Sequence, residues 1–229
     1  MKITAIIQAR MSSTRLPGKV LLPIIGKPML QYLLESLAHC QMVSDVIVAT
    51  SMEKSDDILS DFCEQRQVRF FRGPLDDVSL RFVDIIKAFN LDAFMRIGGD
   101  SPLFDYVLAD EAATMFRHRS CDLVTNVFPR SFPKGESIEI VRAEMFLKAY
   151  PLFDQQDDFE HVTHYFYRNS HMFNIHNFSS GGAFGHIHLA VDHEADFQWT
   201  TRLLASLPQP HWMYRWQQLI ELHQSFHES

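Results

Sequence analysis

The sequence predicts an α/β fold: a Rossmann-like, mostly parallel sheet flanked by helices on both faces. Short apolar, β-branched runs alternate with longer segments of helical period. The early runs, Ile-Thr-Ala-Ile-Ile from Ile3 and Val-Ile-Val-Ala from Val46, are almost continuously apolar. Such runs belong to strands buried on both sides of a parallel sheet.

Taken in order, residues 3–8, 45–50, 68–71, 93–97 and 122–126 read as strands. Residues 29–40, 58–67, 78–89 and 107–116 read as the helices between and after them. Pro28 suits the first turn of its helix, and Ser55 and Asp56 can cap the next. The rhythm breaks after Asn126, where Phe128-Pro-Arg-Ser-Phe-Pro-Lys-Gly135 is a loop punctuated by two prolines and a glycine. A short strand over 138–141, a helix over 159–169 and strands over 174–178 and 188–191 follow, with a turn at Gly181-Gly182. Helices over 195–207 and 212–227 close the chain. With no repeat or linker, the expectation is one domain over 1–229 with an irregular portion at about 127–187.

The chain has 229 residues, of which 46% are hydrophobic, enough for one sizeable core. Its net charge of -7 argues against a general nucleic-acid surface, which needs clustered Lys and Arg. A phosphate site must therefore be local, and Arg10, Arg15 and Lys19 form such a concentration. No run of about 18 apolar residues exists, and Ile3 begins a strand pattern with no signal-peptide zones before it. A cytoplasmic protein without membrane insertion is expected. Cys40, Cys63 and Cys121 lack Cys-x-x-Cys spacing and read as reduced, mostly buried residues.

Ligands of open parallel sheets bind beyond the carboxyl ends of strands, so the segment after Gln8 is in place for a binding loop. Ser12, Ser13 and Thr14 are small enough to bring backbone N–H groups near phosphate oxygens, and Arg10, Arg15 and Lys19 supply positive charge. The same residues also fit a solvated basic turn. Neither Gly-x-Gly-x-x-Gly after the first strand nor Gly-x-x-x-x-Gly-Lys-Ser/Thr occurs, which removes the main support for a dinucleotide dehydrogenase or a P-loop NTPase.

The segment Gln8-Ala-Arg-Met-Ser-Ser-Thr-Arg-Leu-Pro-Gly-Lys19 resembles the opening signature of cytidylyltransferases that activate sugar acids. It is most similar to the spore-coat polysaccharide biosynthesis protein F family, with relatives among acylneuraminate and 3-deoxy-manno-octulosonate cytidylyltransferases. Further matches follow in order: Arg72-Gly-Pro-Leu-Asp-Asp-Val78 with Arg81, Arg96-Ile-Gly-Gly-Asp-Ser-Pro-Leu103, Glu160-His-Val-Thr163, and Leu189-Ala-Val-Asp-His-Glu-Ala-Asp196. The resemblance implies a nucleotide-diphospho-sugar transferase (GT-A-like) architecture, CTP as nucleotide and a homodimer. It implies a nucleotide site containing Ala9, Arg10, Ser12, Ser13, Thr14, Arg15, Lys19, Arg72 and Arg96, with Arg10 and Lys19 catalytic. It also implies Mg2+ on Asp100 and Asp192.

Read locally, Asp100 follows an apolar strand through Gly98-Gly99, and Asp192 ends another apolar run. Two aspartates from different strand ends suit Mg2+, which prefers hard oxygen ligands and shares them with substrate phosphates. Each also fits a structural role, Asp100 as a turn cap and Asp192 as a helix N-cap. Arg96 can hold a phosphate or pair with an acid, Asp77 reads as a cap, and Asp196 reads as capping or packing.

Among twelve histidines, the pairs His161/His164 and His186/His188 lack the spacing of a zinc protease. The resemblance places Glu160 and His161 beside the acceptor-sugar pocket or a dimer contact, although both also suit a plain helix surface. The chain departs from the family at Phe132-Pro-Lys-Gly-Glu-Ser-Ile-Glu139, where the pattern is commonly Phe-Pro-Asp-Gly-Leu-Asp-Val-Glu. Lys134 and Ser137 each replace an acid, and Glu136 a leucine.

The expected reaction is transfer of a nucleoside monophosphate from CTP to a sugar acid or related sugar, with release of pyrophosphate, in surface polysaccharide or glycan biosynthesis. A metal-dependent glycosyltransferase needs a similar aspartate-held metal but has less use for the cluster of Arg10, Arg15 and Lys19. A non-catalytic nucleotide-binding protein on the same fold is the third reading.

Overall fold

The computed structural model describes residues 1–227. Its strands are β1 (Ile3–Gln8), β2 (Pro23–Ile24), β3 (Lys27–Pro28), β4 (Asp45–Ser51), β5 (Arg69–Gly73), β6 (Ala93–Gly98), β7 (Leu123–Thr125), β8 (Glu139–Arg142) and β9 (Ile175–Asn177). Its helices are α1 (Met29–Leu37), α2 (Asp57–Gln65), α3 (Val78–Phe89), α4 (Tyr106–His118), α5 (Ala143–Ala149), α6 (Gln156–Glu160), α7 (His164–Arg168), α8 (Glu194–Ser206) and α9 (Trp216–His227).

Seven strands make one sheet in the order β5-β4-β1-β6-β8-β7-β9, while β2 and β3 form a separate small hairpin. The pairs β4–β5, β1–β4 and β1–β6 are parallel, β8 runs against both neighbours, and β7–β9 is parallel again. The alternation of short apolar runs with amphipathic helices thus produces the mostly parallel, two-sided sheet it predicts.

Side chains alternate across the sheet as the strand period requires. Ile3, Ala5, Ile7, Val48, Ala93, Met95 and Ile97 enter a core with residues of α1, α2, α4, α8 and α9. Ile6, Ile47, Ala49 and Phe94 enter a second core with residues of α3, α5 and α7. From β1 the chain moves outward to β4 and β5, then returns to the other side of β1 as β6. The boundary between β1 and β6 is a switch point, where loops diverge and leave a crevice.

Several boundaries differ from expectation for tertiary reasons. Residues 188–191 form no strand: the chain runs extended, with only a bridge between Lys134 and His188. Residues 159–169 divide into α6 and α7, and the break includes Thr163, whose hydroxyl binds Glu139. Residues 212–227 divide into a 3-10 turn at His211–Met213 and α9, whose first N–H, at Trp216, is taken by Asp105. The first helix stops at Leu37 rather than residue 40. Asp56 provides no side-chain cap for α2. Its carboxylate turns to the first strand's loop instead.

Candidate functional site

Backbone hydrogen bonds gather three segments at the switch point. Gly99 N–H donates to Gln8 O (2.9 Å), Ala9 N–H to Ala49 O (3.1 Å), and Val191 N–H to Asp100 O (2.8 Å). Gly99 permits the first contact: a Cβ there would lie 2.9 Å from Ala9 Cβ and 3.2 Å from Gln8 O. The loop after β1 also folds on itself, because Met11 O accepts from Ser13 N–H and Gly18 N–H, with Gly18 at φ 71°. Asp56, fully buried, accepts Met11 N–H at 2.7 Å together with the Ser51 N–H and the Thr50 and Ser51 hydroxyls. Burial alone would raise its carboxyl; these donors outweigh that and hold it below the ordinary carboxylate range.

The resulting cleft has a volume of about 440 Å³, within the range of small-molecule sites, roughly 300–1,000 Å³. Ala9, Arg10, Ser13, Thr14, Arg15, Lys19, Arg96, Asp100, Glu160, His161 and Asp192 all line it. Residues named from separate stretches of sequence therefore meet in one place.

Lys19 is the junction. It is 9% exposed, and its Nζ donates to Asp100 Oδ2 (3.0 Å), Asp192 Oδ1 (3.0 Å) and Val191 O (2.7 Å). Arg15 Nη2 reaches the same Asp192 oxygen at 2.9 Å. Burial would raise the Asp192 carboxyl, but Lys19 and then Arg15 hold it low, so it is ionised at neutral pH. Asp196 accepts from Asp192 N–H and His193 N–H, closing a capping box at the start of α8. That box serves the helix, so the Asp192 carboxylate is free for the cleft. Asp77 caps α3 by accepting Leu80 N–H.

Two expected residues stand elsewhere. Arg72, on β5, gives its guanidinium to Ser51 O, Glu53 O and Asp57, so it ties the β4–α2 connection instead of lining the cleft. Ser12 is exposed and also outside the lining. Arg96 lines the cleft but pairs with buried Glu139 at 2.6 Å. Thr163 and Tyr167 donate to the other Glu139 oxygen. Burial raises the Glu139 carboxyl, and Arg96 with these hydroxyls brings it below the ordinary value.

The sequence reading did not assign Glu139 or Asp56 to the site, since both act through folded contacts. Arg130 was also missed; its only local signal is a cation in a proline-rich loop. Arg81 is 1% exposed, lines the cleft, and donates to the carbonyls of Ala49, Pro74 and Leu75. Burial lowers it to about 10, with Asp56 pulling the other way.

Paired carboxylates, a shared lysine and an arginine-bearing loop at the switch point of a parallel sheet define a nucleotidyltransferase. Residues 4–216 match the cytidylyltransferase family, and the chain belongs to it. The chain is 34% identical over 168 residues to the spore coat polysaccharide biosynthesis protein SpsF of Bacillus subtilis, covering 71% of this chain and 69% of that protein. It is 40% identical over 119 residues to the 3-deoxy-manno-octulosonate cytidylyltransferase of Geobacter metallireducens, a match covering 49% of this chain and 43% of that enzyme. Its fold superimposes on a cytidylyltransferase from Leptospira borgpetersenii with a TM-score of 0.93 and 28% identity, covering 100% of this chain and 96% of that one. Among the described residues, no helix is long and apolar enough to cross a membrane.

Proposed function

We propose that the protein transfers a cytidylyl group from CTP to a hydroxyl of a sugar acid or related sugar, for building a polysaccharide or glycan. The acceptor oxygen forms a bond to the α-phosphorus as the bond to the bridging oxygen breaks, and pyrophosphate leaves. The reading rests above all on the carboxylates of Asp100 and Asp192, each 3.0 Å from one cation, Lys19 Nζ, beside the loop of residues 9–19. Family membership and the names of the two curated relatives support CTP and a sugar.

The same two carboxylates fit Mg2+: they are hard oxygen donors, they already converge on one cation, and the cleft beside them can admit phosphate oxygens. Bound there, Mg2+ would neutralise phosphate charge and help to acidify the acceptor hydroxyl. The chain's own residues do the positioning on which such transfers depend. Arg10, which forms no ion pair among the described residues, offers a guanidinium to the phosphates. Lys19 can exchange carboxylate contacts for the leaving pyrophosphate. Ser13 and Thr14 line the cleft beside these cations, and Glu160 and His161 border the acceptor end.

Thermal unfolding with CTP, UTP, GTP or ATP, each with Mg2+, tests the donor. At a hundredfold excess over Kd, bound nucleotide adds about 2.7 kcal/mol, or about 5–10 °C in Tm for a chain of this size. CTP should give the largest rise, and Asp100→Asn should abolish pyrophosphate release while the protein stays folded. Equal shifts with all four nucleotides, or none, would refute the donor assignment.

A further inference from the structure

Lys134, Gly135 and Ser137 line the cleft, but the side chain between the last two does not: Glu136 is fully buried against the start of α4. Its carboxyl has one donor. Asp105 N–H binds Oε2 at 3.0 Å, while Oε1 is buried with no hydrogen-bond partner among the described residues. The Asp105 carboxylate, itself buried, accepts Val107 N–H, Leu108 N–H and Trp216 N–H and pairs with Arg215 Nε at 2.7 Å. Arg215 also reaches Glu111, at 3.2 Å. Two buried carboxyl groups therefore meet beside one guanidinium, and that guanidinium sits on Asp105.

An ionised Glu136 would be a buried charge with no cation of its own among the described residues, next to a like charge. The uncharged acid fits. Leucine, common at this position in the family pattern, is uncharged too, so the departure from the pattern installs a proton where the family keeps a hydrocarbon.

The segment that carries Glu136 is one wall of the cleft. Phe132 packs edge-on against Trp216, whose N–H is the one that Asp105 accepts, with ring centroids 5.1 Å apart. Lys134 N–H donates to Ile187 O (2.9 Å) and Lys134 O accepts Leu189 N–H (2.7 Å). Gly135, at φ 105°, packs where a Cβ would come within 2.8 Å of Ala190 N. The corner of Glu136, Asp105 and Trp216 thus backs the wall, and the wall in turn touches the stretch that leads to Asp192.

We propose that protonated Glu136 latches residues 130–137 onto the corner of α4 and α9, and that loss of the proton unseats this wall of the cleft. Burial first and the Asp105 charge second raise the Glu136 carboxyl well above its ordinary value of 4.5, with the Asp105 N–H and Arg215 opposing. The latch is complete below 4.5 and is lost as pH rises through the folded value, because the seated wall keeps the proton that an unseated wall gives up to water. Over that window each pH unit weakens the seating about tenfold.

Hydrogen exchange followed by mass spectrometry reads this in the full chain without nucleotide, so the outcome bears on the latch and leaves the donor assignment aside. After correction for the chemical rate, peptides covering 130–138 should lose at least about tenfold in protection between pH 5 and pH 8, and should open more readily than β1 at either pH. In Glu136→Gln and Glu136→Leu, with folding checked by circular dichroism, the change should stay within about twofold. Flat wild-type protection, or a fall of the same size in Glu136→Gln, would overturn the latch. So would protection in 130–138 equal to that of β1, since the segment would then open only with the whole fold.

Discussion

Asp100 and Asp192 share one ammonium group, that of Lys19, although the first follows β6 and the second precedes α8. Without a cation between them, the two carboxylates would repel across a partly desolvated gap. Lys19→Met should therefore cost about 1 kcal/mol in metal-free buffer, the scale of a partly exposed ion pair. Mg2+ should recover that loss, giving the variant a Tm rise about 2–4 °C larger than the wild type shows. Equal Mg2+ responses would mean that the metal does not take the lysine's place.

Asp56 anchors the loop after β1 through Met11 N–H. Asp56→Ala strands that N–H and the Ser51 N–H in a buried setting, at a cost of roughly 2–4 kcal/mol. Asp56→Asn preserves shape but surrenders the charge-assisted bonds. If the loop is the nucleotide's wall, as the proposed function has it, this variant should raise KM for CTP several-fold more than it lowers kcat. Steady-state kinetics would separate the two effects.

Gly99 lets two strand ends meet. In Gly99→Ala the new methyl must displace Ala9 or the Gln8 carbonyl. The strain should cost about 1–3 kcal/mol in denaturant unfolding and lower kcat/KM more than it lowers stability-matched controls. Wild-type stability in this variant would show that the junction is looser than its geometry.

Glu136 and Asp192 respond oppositely to pH. Glu136 binds its proton more tightly in the folded chain, because of burial first and Asp105 second, with Arg215 opposing. Its contribution is complete below the ordinary value of 4.5 and is lost as pH rises through the folded value. Asp192, held low, contributes above the ordinary carboxylate range and loses that contribution as pH falls. Glu136→Gln mimics the protonated form, so it should add about 1–2 kcal/mol at pH 8 and nothing at pH 4. Urea midpoints at the two pH values measure this directly.

The parallel half of the sheet was legible because its strands are buried on both sides and each of its helices repeats at one period. Asp100 and Asp192 were singled out through the resemblance, because read locally each also fits a cap; their carboxylates meet at Lys19. Residues 188–191 misled for a related reason: they are equally apolar, but their N–H groups go to Lys134 and Asp100 instead of a ladder. Arg72 misled because an arginine after a strand looks alike whether its partner is a phosphate or the carbonyls of Ser51 and Glu53. Glu139 was invisible as a site residue, since its meaning depends on Arg96 from β6 and Thr163 and Tyr167 from the α6–α7 region.

The backbone bonds joining Gln8 to Gly99 and Asp100 to Val191 weld the loop after β1 and the two aspartate-bearing segments into the frame of the sheet. Residues 130–137 meet that frame through the main chain of residues 187–190, through Phe132, through Ser131 bonded to Ser180 and Phe184, and through buried Glu136, which accepts from Asp105 N–H and Asn126. Replacing that segment therefore has to keep the Glu136 contacts to Asp105 and Asn126. A graft that carried these anchors along would move the segment as one unit against an unchanged sheet.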